Sequence, residues 1–399
     1  MGPPDTAGLR ALVDAEFDRM VEIRRDLHRH PELGFEEART TGRIAAVASS
    51  LGLEPLPCPT ATGSVWSLDG GCPGATVLLR ADIDALPVEE TSDVEFASLA
   101  EGRMHACGHD AHTAQLLGAA AALTHRAGDL PGRYLFLFQP AEEGLGGARA
   151  MLDGGVLDGL DVAAVVGCHV VSVLPTGLVG VRAGITMSDA HALRVDVHGV
   201  GGHGADYREG ANPLTGAARL ALRLAGVVDG LALEGTDCAC TAGVLHAGTA
   251  ANVIPSHAVL SGTLRTFTPD HTVAALARLD TLLAELEDET GCAFHLSFTG
   301  RTPAVCNDGG VTGWVRAAAV ETVGAAAVVE VPPVSPSDDV AEFLDRVPGS
   351  YFFVGAGRAD GTSGMHHNPG FAIDEGCMPI AAAVLAASAV RSAGGVPAS

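Results

Sequence analysis

The chain has no run of about 18 apolar residues that could cross a bilayer as a helix, although 47% of its 399 residues are hydrophobic. Its first residues, MGPPDTAGLRALVDAEFDR, carry too much acid and too little apolar length for a secretory signal. There is no CxxC pair among the nine cysteines, an odd set without framework spacing, which argues against disulfide staples and suits a reducing compartment. Lys and Arg do not cluster, and the formal net charge of −24 argues against nucleic acid or anionic membrane as a partner, since both bind through basic patches. Internal repeats and low-complexity linkers are also missing, apart from the Pro-rich VPPVSP near residue 334. What these absences leave is a cytoplasmic globular protein. At 399 residues it exceeds the size one core usually reaches, so two domains are expected.

What is present is organised in two textures. Residues 10 to 52 are helical in period, broken by Pro31 and Gly34. Short apolar runs then alternate with helical segments: TVLLRADID, AHTAQLLGAAAAL, YLFLFQP, VAAVVGCHV, and later SYFFVGAG followed by MPIAAAVLAASAV. That alternation predicts an α/β sheet with helices on both faces. Between residues 185 and 299 the pattern changes to strand 190–199, helix 213–226, strands 238–246 and 257–267, helix 270–290 and strand 293–299. The order βαββαβ is the split βαβ, or ferredoxin-like, plan. The expected division is therefore a catalytic domain of residues 1–184 and 300–399, with residues 185–299 inserted as a second domain.

Residues able to bind metal recur in one context, just after a buried strand or at the start of the next helix, where open α/β sheets gather their sites. The stretch His105-Ala-Cys107-Gly-His109-Asp110-Ala-His112 precedes the alanine-rich helix, whose positive end favours a thiolate. Glu142 and Glu143 follow YLFLFQP, His169 ends AVVGCHV, and His366-His367 follow SYFFVGAG. Each alone reads equally as a surface or packing residue. Together, imidazole, thiolate and carboxylate at equivalent strand ends make a donor set suited to Zn and other first-row divalent ions. Asp82 and Asp84 in RADIDALP face one way; one of them is placed to orient a ligand histidine or to cap the next turn. Cys168 reads as core.

In order along the chain, IRRDLHRHPELGFEE, RADIDALP, MHACGHDAHTA, FQPAEEG, GCHV, GVGGHGA, GTAANVIP, GTLRTF and HHNPGFAIDE resemble the M20 metallopeptidase family, and within it the amidohydrolase branch of hippurate, auxin-conjugate and N-acyl amino acid hydrolases. The resemblance implies two divalent metal ions, Zn, Mn, Co or Ni, held by Cys107, His109, Glu143, His169 and His367, with Glu142 as general base. It implies that the inserted domain is a lid that dimerises the protein. His203 and Asn252 would contact substrate, and Arg265 would meet a substrate carboxylate. The implied reaction is hydrolysis of the amide bond of an N-acyl amino acid or related small amide. A dipeptidase or carboxypeptidase on the same scaffold, and a binding protein that has lost catalysis, are the alternatives. The chain departs from the branch at Tyr207-Arg208, Asn212-Pro213, Arg301-Thr302-Pro303 and Ser337-Asp338-Asp339-Val340, none of which is an implied ligand.

Overall fold

The computed structural model describes residues 6, 8–206 and 211–395, so Tyr207 and Arg208 lie outside the described residues. The chain divides into two compact units, one of Met1–Gly184, Cys306–Val331 and Asp339–Ser399, the other of Ile185–Val305 and Pro332–Asp338. Among the described residues, no helix is long and apolar enough to cross a membrane.

In the first unit, eight strands form a mixed sheet in the order Glu54–Leu56, Ser64–Asp69, Pro131–Gln139, Cys72–Asp82, Val162–Pro175, Gly349–Gly357, Val179–Gly180, Val328–Val329. The four central strands, Pro131–Gln139 through Gly349–Gly357, run parallel. Their apolar runs are continuous rather than alternating because both faces are covered. The helix His109–Arg126 is buried along nearly its whole length and packs against Phe17–Arg29 and Cys377–Ala393. Small residues permit this: a Cβ on Gly118 would fall 2.3 Å from the Met20 sulfur. Strand Cys72–Asp82 lies between the two parallel strands that follow it in sequence, so the connections diverge there. Such a reversal opens a crevice at the carboxyl ends of the strands.

The second unit is a four-stranded antiparallel sheet in the order Ala239–Ala247, His257–Thr266, Asp189–His198, Ala293–Thr302. With helices Pro213–Arg223 and Pro269–Thr290 the chain order is the expected βαββαβ. Both helices begin on readable signals. Asn212 accepts the Leu214 N–H ahead of Pro213, and Thr268 accepts the His271 N–H ahead of Pro269. Leu193, Val195 and Val197 are buried in the core that these helices share with the sheet, while the alternate residues turn outward. The unit extends past residue 299 because its last strand continues to Thr302, and it includes Pro332–Asp338, whose Val334 N–H donates to the Thr186 carbonyl. That late return carries no local signal in the Pro-rich stretch.

One buried cation ties the centre of the large sheet. Arg80 donates to Asp82 (2.7 Å), to Gln139 (2.8 Å) and to Asp339 (3.0 Å), and is only 1% exposed. Asp339 also accepts from the Gln139 amide (2.7 Å) and the Ala148 N–H (2.9 Å). Removing one partner of such a network strands the other charge out of water. Asp339→Ala is expected to cost about 3–5 kcal/mol, read as a lower urea midpoint, with Asp339→Asn losing less because it keeps the shape and some hydrogen bonds. An unchanged midpoint in the alanine variant would show that Arg80 is not held by this carboxylate.

Candidate metal centre

The carboxyl ends of the parallel strands bring the sequence-derived donors of the first unit together. Cys107 Sγ lies 3.4 Å from His169 Nε2 and 3.8 Å from His366 Nδ1. Glu143 Oε1 lies 3.8 Å from His109 Nε2 and 3.3 Å from His367 Nε2. Two sets, Cys107–His109–Glu143 and Cys107–His169–His366, each have donor atoms within 4.8 Å of one another, and Cys107 belongs to both. His109 Nε2 and Glu143 Oε1 are buried and neither makes a well-aligned hydrogen bond, although Glu143 Oε1 lies 3.3 Å from His367 Nε2. Orphaned polar atoms of this kind cost free energy unless something satisfies them, and a thiol, imidazoles and a carboxylate fit a first-row divalent cation. One position differs from the expected one. His169 sits within the strand Val162–Pro175 rather than after it, because that strand runs on past the others. His366, which the resemblance leaves out of the ligand set, groups with Cys107 and His169, while His367 Nε2 meets Glu143 Oε1 of the other set at 3.3 Å.

The rings are oriented by a surrounding layer. His109 Nδ1 donates to the Asp84 carbonyl (2.9 Å) and His169 Nδ1 to the Val170 carbonyl (2.6 Å), which leaves each Nε2 as the nitrogen with a lone pair. His112 is spent differently: its Nδ1 donates to Asp82 (2.6 Å) and its Nε2 accepts the Val170 N–H (3.0 Å), so it steadies the backbone beside His169. Asp84 accepts the Glu143 N–H (3.0 Å). Burial opposes protonation of His109, yet the Asp82 charge and Cys107 raise its pKa well above the ordinary value. Hydrogen bonds to Cys107 and Glu143 push His367 up to about 10. These surroundings favour positive charge at both rings, the preference that also favours a cation among the donors. Burial, with the charges of His112 and His366, drives His169 well down. The thiol behaves contrary to the helix-end argument: burial and the nearby Glu143 push Cys107 up. Cys107 precedes the first helical residue, His109, and the turn needs Gly108, whose φ is 92° and whose Cβ would lie 2.5 Å from Val170.

Several residues that sequence reasoning left without a role hold this arrangement. Glu37 is buried and accepts the Ala141 N–H (2.8 Å), and Ala141 has φ 55° immediately before Glu142. Glu142 in turn accepts the Asp339 N–H at 3.4 Å. His367 has φ 64°, its N–H donating to the Ala106 carbonyl (2.8 Å). Non-glycine residues in the left-handed region are strained and persist where the surroundings enforce them. Asp110, next to His109, receives Arg24 (2.8 Å) and His28 (2.8 Å), while the other nitrogen of His28 meets Glu90 (3.2 Å). The available signal was the motif IRRDLHRHPELGFEE, but nothing in its spacing says which distant backbone each residue meets.

The remaining sequence-derived site residues belong to the second unit. His203 and Asn252 come together there, since His203 pairs with Val253 across a short antiparallel bridge and the Gly204 N–H donates to the Asn252 carbonyl (2.9 Å). Both side chains are exposed. Arg265 is half-buried on the strand His257–Thr266, and its guanidinium donates to the Ser335 carbonyl and the Ser337 hydroxyl at 3.2 Å each. No hydrogen bond links it to His203 or Asn252 among the described contacts.

The buried His28 gives a pH dependence whose sign is fixed. Burial opposes its protonation, but the Asp110 charge and hydrogen bonds to Asp110 and Glu90 raise its pKa above the ordinary value. Burial likewise opposes the Asp110 charge, yet Arg24 and His28 hold that carboxyl far below the usual range. The His28 contribution is complete below about pH 6.5 and is lost as pH rises through the higher folded value. The Asp110 contribution is present above about pH 4 and is lost on acidification. Stability measured by urea midpoint is therefore expected to fall on going from about pH 6 to about pH 9, and His28→Gln is expected to flatten that slope. Equal slopes in the two proteins would remove His28 as its source.

Residues 78–391 match the family described as peptidase family M20/M25/M40. An N-acetyl-L-cysteine deacetylase of Bacillus subtilis (strain 168) is 36% identical over 373 residues, 94% of this chain and 88% of that protein. A thermostable carboxypeptidase of Saccharolobus solfataricus is 35% identical over 387 residues, 94% of this chain and 95% of that protein. Among solved structures, a dinuclear metal-binding M20 peptidase of Bacillus subtilis superposes with a TM-score of 0.79 at 31% identity, covering 94% of this chain and 98% of that one. Matching in fold and along nearly its full length, and gathering a thiol, imidazoles and a carboxylate that could hold metal, the chain belongs to peptidase family M20/M25/M40 and is a metallo-amidohydrolase or peptidase of that family.

Proposed function

We propose that the protein hydrolyses the amide bond of N-acyl amino acids or closely related small amides, releasing a carboxylic acid and an amine, with two divalent ions held by Cys107, His109, Glu143, His169 and His367. The observation that carries the reading is the buried cluster of Cys107, His109 and Glu143, in which His109 Nε2 and Glu143 Oε1 lack well-aligned hydrogen bonds, with a second carboxylate, Glu142, next in sequence. Two donor groups share the Cys107 thiol, one with His109 and Glu143, which His367 approaches, and one with His169 and His366; that division suits two ions, and a similar protein is described as dinuclear. Bound there, the ions supply Lewis acidity toward the amide carbonyl and acidify water toward neutrality.

The chain's own groups do the rest. Glu142 takes the proton of the attacking water and returns it to the leaving amine. Its backbone is preset by the left-handed Ala141 and the Glu37 carboxylate, and its carboxylate by the Asp339 N–H. Asp84 holds His109 and Glu143 together so that their free atoms stay aligned. In this reading His203 stabilises the developing oxyanion, Asn252 binds substrate and Arg265 receives the substrate carboxylate. Dimerisation through the inserted unit is also part of it, supported by the exposed Val244 and Leu245 on the edge strand Ala239–Ala247, which a second copy would cover. A monomer in sedimentation at working concentration would remove that part alone.

The deacetylase and the carboxypeptidase stand at nearly equal identity, so the leaving group is decided by assay. A panel of acetyl, benzoyl and long-chain acyl amino acids, with dipeptides and acyl-free peptides included, is expected to show turnover of acylated amino acids above dipeptides. The reverse order would favour the peptidase reading. In the same assay Glu142→Gln is expected to lower kcat by roughly a hundredfold or more with metal content retained. A near-normal rate would exclude Glu142 as the base. Cys107→Ser should weaken metal retention, and a thiol reagent should label Cys107 faster in the metal-stripped protein than in the loaded one. Equal labelling in both would contradict a thiolate ligand.

A further inference from the structure

Three histidines of the second unit stand side by side on the sheet face opposite its helices. His198 ends the strand Asp189–His198, which lies between the strands carrying His257 and His295. His257 is the direct cross-strand partner of His198, and His295 is that of Asp196. Because side chains alternate, Val195 and Val197 point into the helix-covered core while Asp196 and His198 point outward with both neighbours. The His198 and His257 rings stack at 4.7 Å between centroids, and His198 and His295 lie at 5.5 Å. All three are exposed. Asp196, held by Arg194 through two hydrogen bonds, accepts from His257 Nε2 at 2.9 Å.

Three imidazoles in contact on an exposed surface do nothing for the core, and protonating them together would set like charges against one another. As neutral rings they present nitrogen lone pairs at cross-strand spacing, in a chain of net charge −24 that draws cations. Asp196 fixes the tautomer of His257: with Nε2–H donated to the carboxylate, Nδ1 is the free donor, the arrangement in which a carboxylate behind a histidine supports a metal ligand. In the present rotamers the ring nitrogens stack rather than converge as those of the strand-end donors do. Convergence on one ion would proceed by side-chain rotation, which exposed side chains undergo freely.

We infer that His198, His257 and His295, with Asp196 behind His257, form a binding site for a borderline divalent cation of the Zn2+ class on the inserted unit, separate from the strand-end donors. Three nitrogen donors and an open position suit Zn2+, Ni2+ and Cu2+ and disfavour Mg2+ and Ca2+, which take oxygen. An ion there would staple three adjacent strands at one end of the sheet and stabilise the unit in proportion to its occupancy.

The test uses the untagged full-length chain, dialysed against excess Zn2+ and counted by elemental analysis. His198→Asn/His257→Asn is expected to hold about one ion fewer per chain than the wild type. The same decrement is expected when the pair is introduced into Cys107→Ser, because the two sets share no residue. Far-ultraviolet circular dichroism should be unchanged, since both side chains are exposed. An equal Zn2+ count with and without the two histidines, in either background, overturns the inference.

Discussion

A thiol, a carboxylate and several imidazoles can lie together at the end of an apolar sheet only if each is held by another group. The strand-end site is built around that constraint. Burial alone would neutralise the acids and strip protons from the rings, and His105, buried without a partner, is accordingly driven down to about 4. Where an acidic neighbour is supplied the outcome reverses, as at His109 beside the Asp82 charge. His109 is oriented by Asp84, His112 is bonded to Asp82, and the backbone before Glu142 is fixed by Glu37. The atoms left over, His109 Nε2 and Glu143 Oε1, are the ones that face one another.

The architecture explains how so much polarity is accommodated. Parallel strands deliver their carboxyl ends to one edge, and each end contributes a short segment: Asp82 to Asp84, Gln139 to Glu143, His169, and the loop carrying His366 and His367. Beneath them Arg80 binds two of these segments, at Asp82 and Gln139, and ties both to Asp339 by side-chain hydrogen bonds. A shift in one strand therefore moves donors on the others. The left-handed backbone at Ala141 and His367 is held in the same way, by the Glu37 carboxylate and the Ala106 carbonyl that accept their N–H groups.

The inserted unit obeys a simpler rule. Its sheet hides one face under two helices and leaves the other to solvent, so alternate residues are released from packing and free to carry chemistry. His198, His257, His295 and Asp196 occupy that released face. The bridge that joins His203 to the segment of Asn252 lies in the same unit.

By itself the sequence determined the elements and the inventory of donors. Periodicity separates the parallel strands from the βαββαβ insert, caps such as Asn212-Pro213 and Thr268-Pro269 mark the helix starts, and the positions of Cys107 and His109 at a helix start and of Glu142-Glu143 after a strand follow from local pattern. All of these are short-range properties that a chain expresses wherever it folds. Pairings across long separations were decided only by tertiary structure: Glu37 with Ala141, Asp110 with Arg24 and His28, Asp339 with Arg80, and His366 with Cys107. A buried Glu37 and a solvated one look alike in sequence, and so does a helix-start thiol such as Cys107 whether or not burial raises it. Those outcomes depend on which groups share a desolvated space, and only the packed sheet sets that.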